Sequence, residues 1–356
     1  IKDYNKKYEE RRGVRFLLCA ACQMMSKFSN GMTMATTLRD IAEHCGVAIS
    51  TVSRALRNDE LVTSSTRQRI AEAARRMGYE PNVAARTLVG SRTNTVWFLV
   101  SDLMNLYQQT IGEYSSRFLA ANGFDVSVVS YHNSPERYVK LLQRLCCGVT
   151  DGAIVVSASQ QGEKELRLLE EKKFPLVFAD RCLETASQPT VTTDNIHGTG
   201  ILLEKMLQQG CRKFVLLFTD RNSVERTRLR GAVEYLGRLG VPFILGDRFD
   251  PSFFGEKEGI GILGTWQSDL QKFVRRNPPP ESCSCIYGVF DTWFGDPYPA
   301  RQVFVCKQDF KKIAEQSADL LLKLLRGETV PDSLYLVPPL ECQLLHSSFQ
   351  SLKEQK

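Results

Sequence analysis

Residues 37–56 read TLRDIAEHCGVAISTVSRAL, and this stretch predicts a helix-turn-helix. Apolar residues recur at helical spacing on both sides of Gly46, which supplies a sharp turn. They are Leu38, Ile41, Ala42 and Cys45 before the glycine and Val52, Ala55 and Leu56 after it. Two short helices joined in this way bury one apolar face and leave the second helix free to enter a DNA major groove. An ordinary amphipathic helical hairpin would show the same spacing.

The residues around this stretch favour the DNA-binding interpretation. Thr37 can cap the first helix, and Asp40, three residues later, completes a capping box. The second helix keeps a small, polar and cationic outer side, formed by Ser50, Thr51, Ser53 and Arg54. A third amphipathic helix is predicted from Thr63 or Ser64 to Gly78.

Three segments resemble the LacI family of bacterial transcriptional regulators. They are residues 37–56, residues 66–82 (TRQRIAEAARRMGYEPN) and residues 84–88 (AARTL). The resemblance implies an α-helical helix-turn-helix headpiece, joined by a hinge helix to an α/β core. That core would consist of two Rossmann-like lobes of the periplasmic-binding-protein type. It also implies a regulator of transcription and not an enzyme.

The family resemblance assigns base contacts to the start of the second helix. The residues are Ala48, Ile49 and Ser50, with Arg54 one turn further on. Isoleucine can pack on a thymine methyl, serine can hydrogen-bond a base edge, and arginine can bind guanine through two hydrogen bonds. Ile49 has an alternative place in the small core, because it borders the apolar stripe. Phosphate or capping contacts are expected from Thr37, Thr51, Ser53, Thr66 and Asn82.

The segment from Asn82 to Leu88 resembles the hinge helix of the family. Such a helix folds on DNA, pairs with its twin in a dimer and wedges a leucine into the minor groove. Leu88 stands where that wedge would lie, and Ala85 stands where close approach is needed. A plain linker is the alternative, but it does not explain an apolar leucine on a short segment between Pro81 and Gly90.

The distribution of charge also points to a polyanionic partner. The chain has 356 residues and a net charge of +6. Residues 1–33 contain seven Lys and Arg against three Asp and Glu, and residues 34–92 contain nine against six. The remainder contains 30 basic and 31 acidic residues, so the whole surplus lies in the N-terminal part, where DNA would bind.

Length and composition suit a folded protein with several domains and no membrane span. We expect residues 1–33 to be a non-native or disordered extension, because the family-like sequence starts at Met34. A leader peptide is the alternative, but its apolar run, Val14 to Ala21, is short. The other expected boundaries are a headpiece at 34–80, a hinge and linker at 81–92, an effector-binding and dimerisation core at 93–346, and a tail at 347–356.

The core is predicted to be α/β, because short continuous apolar runs alternate with amphipathic helices. The second lobe departs from the family pattern. The family has two strands in its second half, one ending in an Asn-Asp loop and a later one ending in a Gly-aromatic-Asp-Asp motif. Between a helix ending near Arg276 and Lys307 we predict one strand, ending at Asp291, which fits either motif. One β-α unit is therefore expected to be missing.

In open α/β sheets ligands bind beyond the carboxyl ends of the strands, and the family places its effector in the cleft between lobes. By position, the effector-binding candidates are Asp102, Asn105, Tyr107, Ser157, Asp180, Arg181, Arg228 and Asp291. Carboxylates, amides and guanidinium groups can bind vicinal hydroxyls, and an aromatic ring can cover a sugar. Asp180 has a structural alternative as a carboxylate that caps the following turn.

The function expected from these residues is that of a cytoplasmic, homodimeric repressor with a palindromic operator in double-stranded DNA and a sugar-type effector. No cofactor, metal or membrane partner is expected. The four histidines are dispersed, Cys19 and Cys22 form an isolated C-x-x-C, and the eleven cysteines suit reduced thiols in a cytosolic protein. A sensor module that binds a ligand but not DNA is the alternative function.

Overall fold

A computed structural model describes residues 36–79, 92–254, 259–280, 282–295, 300 and 302–346. The chain forms two compact units, Ile1–Val89 and Gly90–Lys356. The expected N-terminal extension, the C-terminal tail and the hinge, apart from Arg92, lie outside the described residues.

The first unit contains the three predicted headpiece helices: α1 (Leu38–Cys45), α2 (Ile49–Leu56) and α3 (Ser64–Arg76). Gly46 ends α1 in the left-handed conformation, with a φ of 63° that a glycine adopts without strain. The three helices bury one shared core, formed by Ile41, Ala42, Val52, Ala55, Val62, Ile70, Ala73 and Ala74. The predicted helix-turn-helix is confirmed, and its apolar residues hold the outer side of α2 in place.

The second unit begins with a lobe built on a parallel sheet. Its strands are β1 (Thr95–Val100), β2 (Asp125–Ser130), β3 (Gly152–Val156), β4 (Leu176–Ala179), β5 (Thr190–Thr193) and β11 (Leu334–Val337), in the order β11-β5-β4-β3-β1-β2. Its helices are α4 (Leu106–Ala121), α5 (Pro135–Leu145), α6 (Glu163–Glu171) and α10 (Phe310–Leu325). Helices α4 and α10 cover one face of the sheet, whereas α5 and α6 cover the other.

The second lobe has a sheet in the order β12-β10-β9-β8-β6-β7, in which β12 runs antiparallel to β10. Its strands are β6 (Cys211–Leu216), β7 (Phe243–Leu245), β8 (Gly259–Leu263), β9 (Ser284–Phe290), β10 (Gln302–Lys307) and β12 (Glu341–His346). Helices α7 (Asn195–Gln208) and α8 (Ser223–Leu239) cover one face, and α9 (Gln267–Arg276) packs on the other. The two packed, mostly parallel sheets confirm the predicted α/β fold.

The expectation of a missing β-α unit is wrong as far as strands are concerned. Within the described ranges, each lobe has six strands. Neither β10, which lies between Arg276 and Lys307, nor β8 was predicted. Strand β8 precedes α9. Its sequence, GIGIL, contains two glycines, which weaken a strand pattern. Gly261 is required by close packing, since a Cβ there would lie 2.3 Å from Cε1 of Phe214. Short 3-10 helices, Gly246–Arg248 and Pro251–Phe254, stand between β7 and β8.

The strand order also resolves the place of Asp291. Strand β8 is followed by helix α9 and then by β9, and Asp291 directly follows β9. Asp291 therefore takes the place of the later of the two motifs. No helix in the described part of the chain is both long and apolar enough to cross a bilayer.

Candidate functional site

The outer side of α2 is the candidate DNA-binding surface. Ile49 is 43 % exposed, whereas Val52 and Ala55 on the same helix are buried, so Ile49 lies outside the headpiece core. Ala48, Ser50 and Arg54 are also exposed. These four residues, predicted to contact bases, therefore share an accessible surface. The Arg54 Nε lies 4.0 Å from Asp59 Oδ2, which is too long for a hydrogen bond and leaves the guanidinium available to a base.

The remaining DNA-contact candidates have mixed surroundings. Thr51, Ser53 and Thr66 are partly buried, and Arg57 Nε donates to the Ser53 carbonyl at 3.2 Å. The Thr66 hydroxyl accepts a hydrogen bond from the Thr63 hydroxyl at 2.9 Å. Asn82, Ala85 and Leu88 lie outside the described residues.

Thr37 forms the predicted capping box with Asp40. The Thr37 backbone N and hydroxyl donate to Asp40 Oδ2 at 2.7 and 2.9 Å, and the Asp40 backbone N donates to the Thr37 hydroxyl at 3.4 Å. The hydrogen bonds from Thr37 lower the pKa of the Asp40 carboxyl. The capping role is thus present in the structure, and a phosphate contact by Thr37 stays a prediction.

We expect Thr37→Ala to lower the free energy of unfolding of the headpiece by about 1 kcal/mol, because the cap of α1 is lost. Thermal denaturation followed by circular dichroism measures this effect. Thr37→Asp separates the two roles, since aspartate caps a helix well but repels phosphate. Retained stability with weaker DNA binding in Thr37→Asp indicates a phosphate contact, whereas unchanged DNA binding excludes one.

The second unit contains a cleft of about 260 Å³ between its lobes. The structure brings six of the predicted effector residues to its walls: Asn105, Tyr107, Asp180, Arg181, Arg228 and Asp291. They come from the carboxyl ends of β1, β4 and β9 and from helices α4 and α8. The rule that ligands bind beyond strand ends therefore places them together.

Asp102 and Ser157 do not line this cleft. Asp102 Oδ1 accepts a hydrogen bond from the Met104 backbone N at 2.9 Å and closes the turn after β1. Ser157 is buried, and its hydroxyl accepts from Gln108 Nε2 at 3.4 Å. The structure thus places both side chains in hydrogen bonds within the first lobe, and effector contacts by these two residues stay predictions.

Arg228 is the central cation of the cleft and is 2 % exposed. Its Nε donates to Asn195 Oδ1 at 2.8 Å, and its Nη1 donates to Thr265 Oγ1 at 3.2 Å. The guanidinium carbon lies 3.5 Å from the centre of the Phe290 ring, in cation–π geometry. Burial lowers the pKa of Arg228, and the carboxylates of Asp291 and Asp180 oppose this change. Fixed in this way, the guanidinium can donate to ligand oxygens with little loss of side-chain entropy.

Asp180 and Asp291 directly follow strands and adopt the left-handed conformation, with φ of 75° and 69°. Such a backbone costs about 1 kcal/mol for a residue with a Cβ, and residues of this kind cluster at functional sites. Gln308 Nε2 donates to Asp291 Oδ1, and Gln308 Oε1 accepts from the Thr193 hydroxyl. Thr193 and Gln308 lie on the two segments in which the chain passes from one lobe to the other. Asp291 is therefore connected to both segments by hydrogen bonds.

The Asp291 carboxyl predicts a pH dependence of the stability of the core. Burial raises its pKa to about 6 from 3.8, and Arg228 partly opposes the rise. The folded state therefore holds this proton more firmly than the unfolded state. Its contribution to stability is complete below pH 4 and is lost as the pH rises to about 6.

We expect Asp291→Asn to remove this contribution. Urea denaturation of wild type and variant from pH 4 to 7, followed by tryptophan fluorescence, measures the difference between their unfolding free energies. As the pH rises to about 6, the unfolding free energy of the wild type should fall relative to that of the variant. Above about pH 6 the difference between the two should stay constant. A difference that is independent of pH would contradict the assignment.

Other cleft residues were not predicted from sequence. They are Leu106, Thr110, Asn222, Val224, Glu225, Thr265, Trp266, Gln267, Phe290, Thr292, Phe294, Gln308 and Phe310. Thr265 and Trp266 follow strand β8. Because that strand was not predicted, these two residues could not be recognised as lying beyond a strand end. Phe290 precedes Asp291, and Gln308 follows β10. Both residues therefore lie at strand ends, and a known strand order would have indicated them as cleft residues.

Three buried polar atoms in the cleft make no hydrogen bond of ordinary geometry: Tyr107 Oη, Arg181 Nε and Glu225 Oε1. Burial and the nearby Asp180 raise the pKa of Tyr107, so its phenol stays neutral. Buried polar groups without partners are costly, and ligand hydroxyls would satisfy them. The described residues contain no group of three or more His, Cys, Asp and Glu arranged for a metal ion. The arrangement suits a polyhydroxylated organic molecule covered by aromatic rings.

Comparisons with known proteins agree with this architecture. Residues 37–82 match the family of bacterial regulatory proteins, lacI family. The HTH-type transcriptional regulator RegA of Clostridium saccharobutylicum is 28 % identical over 191 residues, which cover 54 % of this chain and 57 % of RegA. The chain thus spans a little over half the length of RegA. Catabolite control protein A of Staphylococcus aureus is 22 % identical over 260 residues, which cover 72 % of this chain and 78 % of the relative.

Two solved structures have the same fold. The lac repressor dimer bound to operator and the anti-inducer ONPF has a TM-score of 0.66 at 21 % identity, covering 88 % of this chain and 98 % of the other. The transcriptional regulator CelR with cellobiose has a TM-score of 0.57 at 19 % identity, covering 88 % and 99 %. A helix-turn-helix headpiece followed by two periplasmic-binding-protein-like lobes defines a class of bacterial regulatory proteins. Within that class, the headpiece segment of this chain is similar to the lacI family, whose model residues 37–82 match.

Proposed function

We propose that this chain is a sequence-specific DNA-binding regulator of transcription that acts as a homodimeric repressor at a palindromic operator. The observation that carries the proposal is the exposed side of α2, where Ser50 and Arg54 are displayed by a well-packed three-helix core. That surface lies inside the segment that matches the lacI family. A protein with this role acts in the cytoplasm on chromosomal DNA and needs no enzymatic activity.

In this proposal the effector is a sugar-type small molecule held in the cleft. The support is the buried Glu225 Oε1, which has no hydrogen-bond donor, in a cleft that is also lined by the aromatic rings of Trp266 and Phe290. The structural neighbour CelR was solved in complex with cellobiose, which is a sugar. The ligand favours one arrangement of the lobes, and that arrangement disfavours paired hinges at 81–92. Repression is then relieved by a population shift.

Selection of binding sites from random duplex DNA with the full chain tests the proposal. We expect enrichment of a two-fold symmetric site, with an affinity that falls steeply as salt rises. Equal affinity for all sequences, together with ligand binding by the core, would instead identify the chain as a sensor module that does not read DNA. Sedimentation of the complex gives the number of chains per site and checks the dimer.

A further inference from the structure

The cleft contains three carboxylates and two guanidinium groups, and they stand on both lobes. The carboxylates belong to Asp180, Glu225 and Asp291, and the guanidinium groups belong to Arg181 and Arg228. This balance matters because it decides which charge a ligand must bring. The three carboxylates outnumber the two guanidinium groups, so the charge of the cleft favours a ligand with an ammonium group over one with a phosphate.

Both guanidinium groups already have partners in the protein. Arg181 Nε lies 3.6 Å from Asp180 Oδ2, and its guanidinium carbon lies 5.5 Å from the centre of the Trp266 ring. Arg228 donates to Asn195 and Thr265 and stacks on Phe290, as described above. The neighbouring Lys307 ammonium donates to the Asp291 backbone carbonyl at 2.9 Å. None of these contacts involves Glu225.

Glu225 is 2 % exposed and is fixed at the start of α8. Its Oε2 accepts from the Thr219 backbone N at 3.0 Å and from the Thr219 hydroxyl at 3.4 Å. Its own backbone N is capped by Asn222 Oδ1 at 3.0 Å. Its other oxygen, Oε1, is buried without a hydrogen-bond partner at the wall of the cleft. A buried carboxylate oxygen without a donor is costly unless a ligand supplies one.

We propose that the effector is an amino sugar whose ammonium group binds Glu225 Oε1. This inference rests on the proposed function, in which the cleft holds a sugar-type effector. The ammonium group supplies the hydrogen-bond donor that Glu225 Oε1 lacks, and the sugar hydroxyls remain for Asp180, Arg181 and Arg228. A charge-assisted hydrogen bond of this kind is stronger than one from a neutral hydroxyl.

Isothermal titration calorimetry of the full chain tests the assignment with matched pairs of sugars. The probes are glucosamine, galactosamine and mannosamine, each against its neutral parent and its N-acetyl derivative, with glucose 6-phosphate as the anionic comparison. The titrations are made at pH 7, where most of each amine is protonated and the Asp291 carboxyl, whose pKa is about 6, is ionised. We expect at least one amino sugar to bind about tenfold or more tighter than its parent.

Glu225→Gln is the matched variant, because glutamine keeps an acceptor for Thr219 and removes the charge. In this variant the preference for the amino sugar should fall about tenfold, while the affinity for the neutral parent changes little. Glu184→Gln is the control, since that exposed carboxylate pairs with Arg226 and does not line the cleft. The pairwise comparison in wild-type protein stands even where the variant is less stable.

Other outcomes separate the inference from the function on which it rests. Tighter binding of a neutral sugar or of the phosphate would overturn the amino-sugar assignment and leave a sugar-responsive regulator. Failure of every sugar in the panel to bind would overturn the amino-sugar assignment and the sugar-type effector together. Absence of a selected DNA site would contradict the regulator itself, whatever the sugars do.

Discussion

Arg54→Ala should weaken binding to the selected operator by about tenfold to a hundredfold. The reason is the position of Arg54 on the exposed side of α2, with its guanidinium free of hydrogen bonds to Asp59. One bidentate contact from arginine to guanine contributes about 1–3 kcal/mol of discrimination against the wrong base. Fluorescence anisotropy with labelled operator duplex measures the affinity. Substitution of each guanine in the half-site then shows which base pair loses its discrimination.

Two variants test whether the effect comes from base recognition or from charge alone. Arg54→Lys keeps the charge but lacks the planar fork, so the dependence of affinity on salt should stay while discrimination among bases falls. Arg76→Ala is the control, because that exposed residue at the end of α3 pairs with Glu72. Equal losses in Arg54→Ala and Arg76→Ala would show that Arg54 contributes only non-specific attraction.

The headpiece could be predicted from sequence because its determinants are local. The capping box of Thr37 and Asp40 spans four residues, and the turn at Gly46 depends on one residue. The apolar spacing of each helix is likewise set within two turns. One alternative, the place of Ile49, needed the packed structure, because a residue at the border of an apolar stripe can face either way.

The core was predicted less completely because its determinants are distant in sequence. Strand β8 was not predicted because its two glycines reflect contacts with residues far away in the chain: Gly261 packs on Phe214, and Gly259 approaches the Gly210 backbone. Because β8 was not predicted, Thr265 and Trp266, which follow it and line the cleft, were not predicted as cleft residues. Two of the effector candidates, Asp102 and Ser157, follow strands but do not line the cleft. Asp102 Oδ1 accepts from the Met104 backbone N, and the Ser157 hydroxyl accepts from Gln108 Nε2. Strand-end position predicts proximity to a cleft and not the direction of a side chain.

Arg228→Met should abolish the response of the protein to its effector and destabilise the core. The side chain is buried and supplies hydrogen bonds to Asn195 and Thr265. Methionine fills much of the same volume but leaves those acceptors unpaired, and it leaves the cleft carboxylates without their central cation. Removal of one partner from a buried charged network costs about 3–5 kcal/mol.

The measurements are urea denaturation and titration of the operator complex with the sugar that binds tightest in the calorimetric panel. We expect at least a hundredfold loss of effector affinity, while operator binding without sugar is retained wherever the core stays folded, since Arg228 lies outside the headpiece unit. Arg230→Met is the matched control, because that exposed arginine on the same helix does not line the cleft. A variant at Arg228 that still released operator at the wild-type sugar concentration would show that the buried guanidinium is structural and makes no contact with the effector.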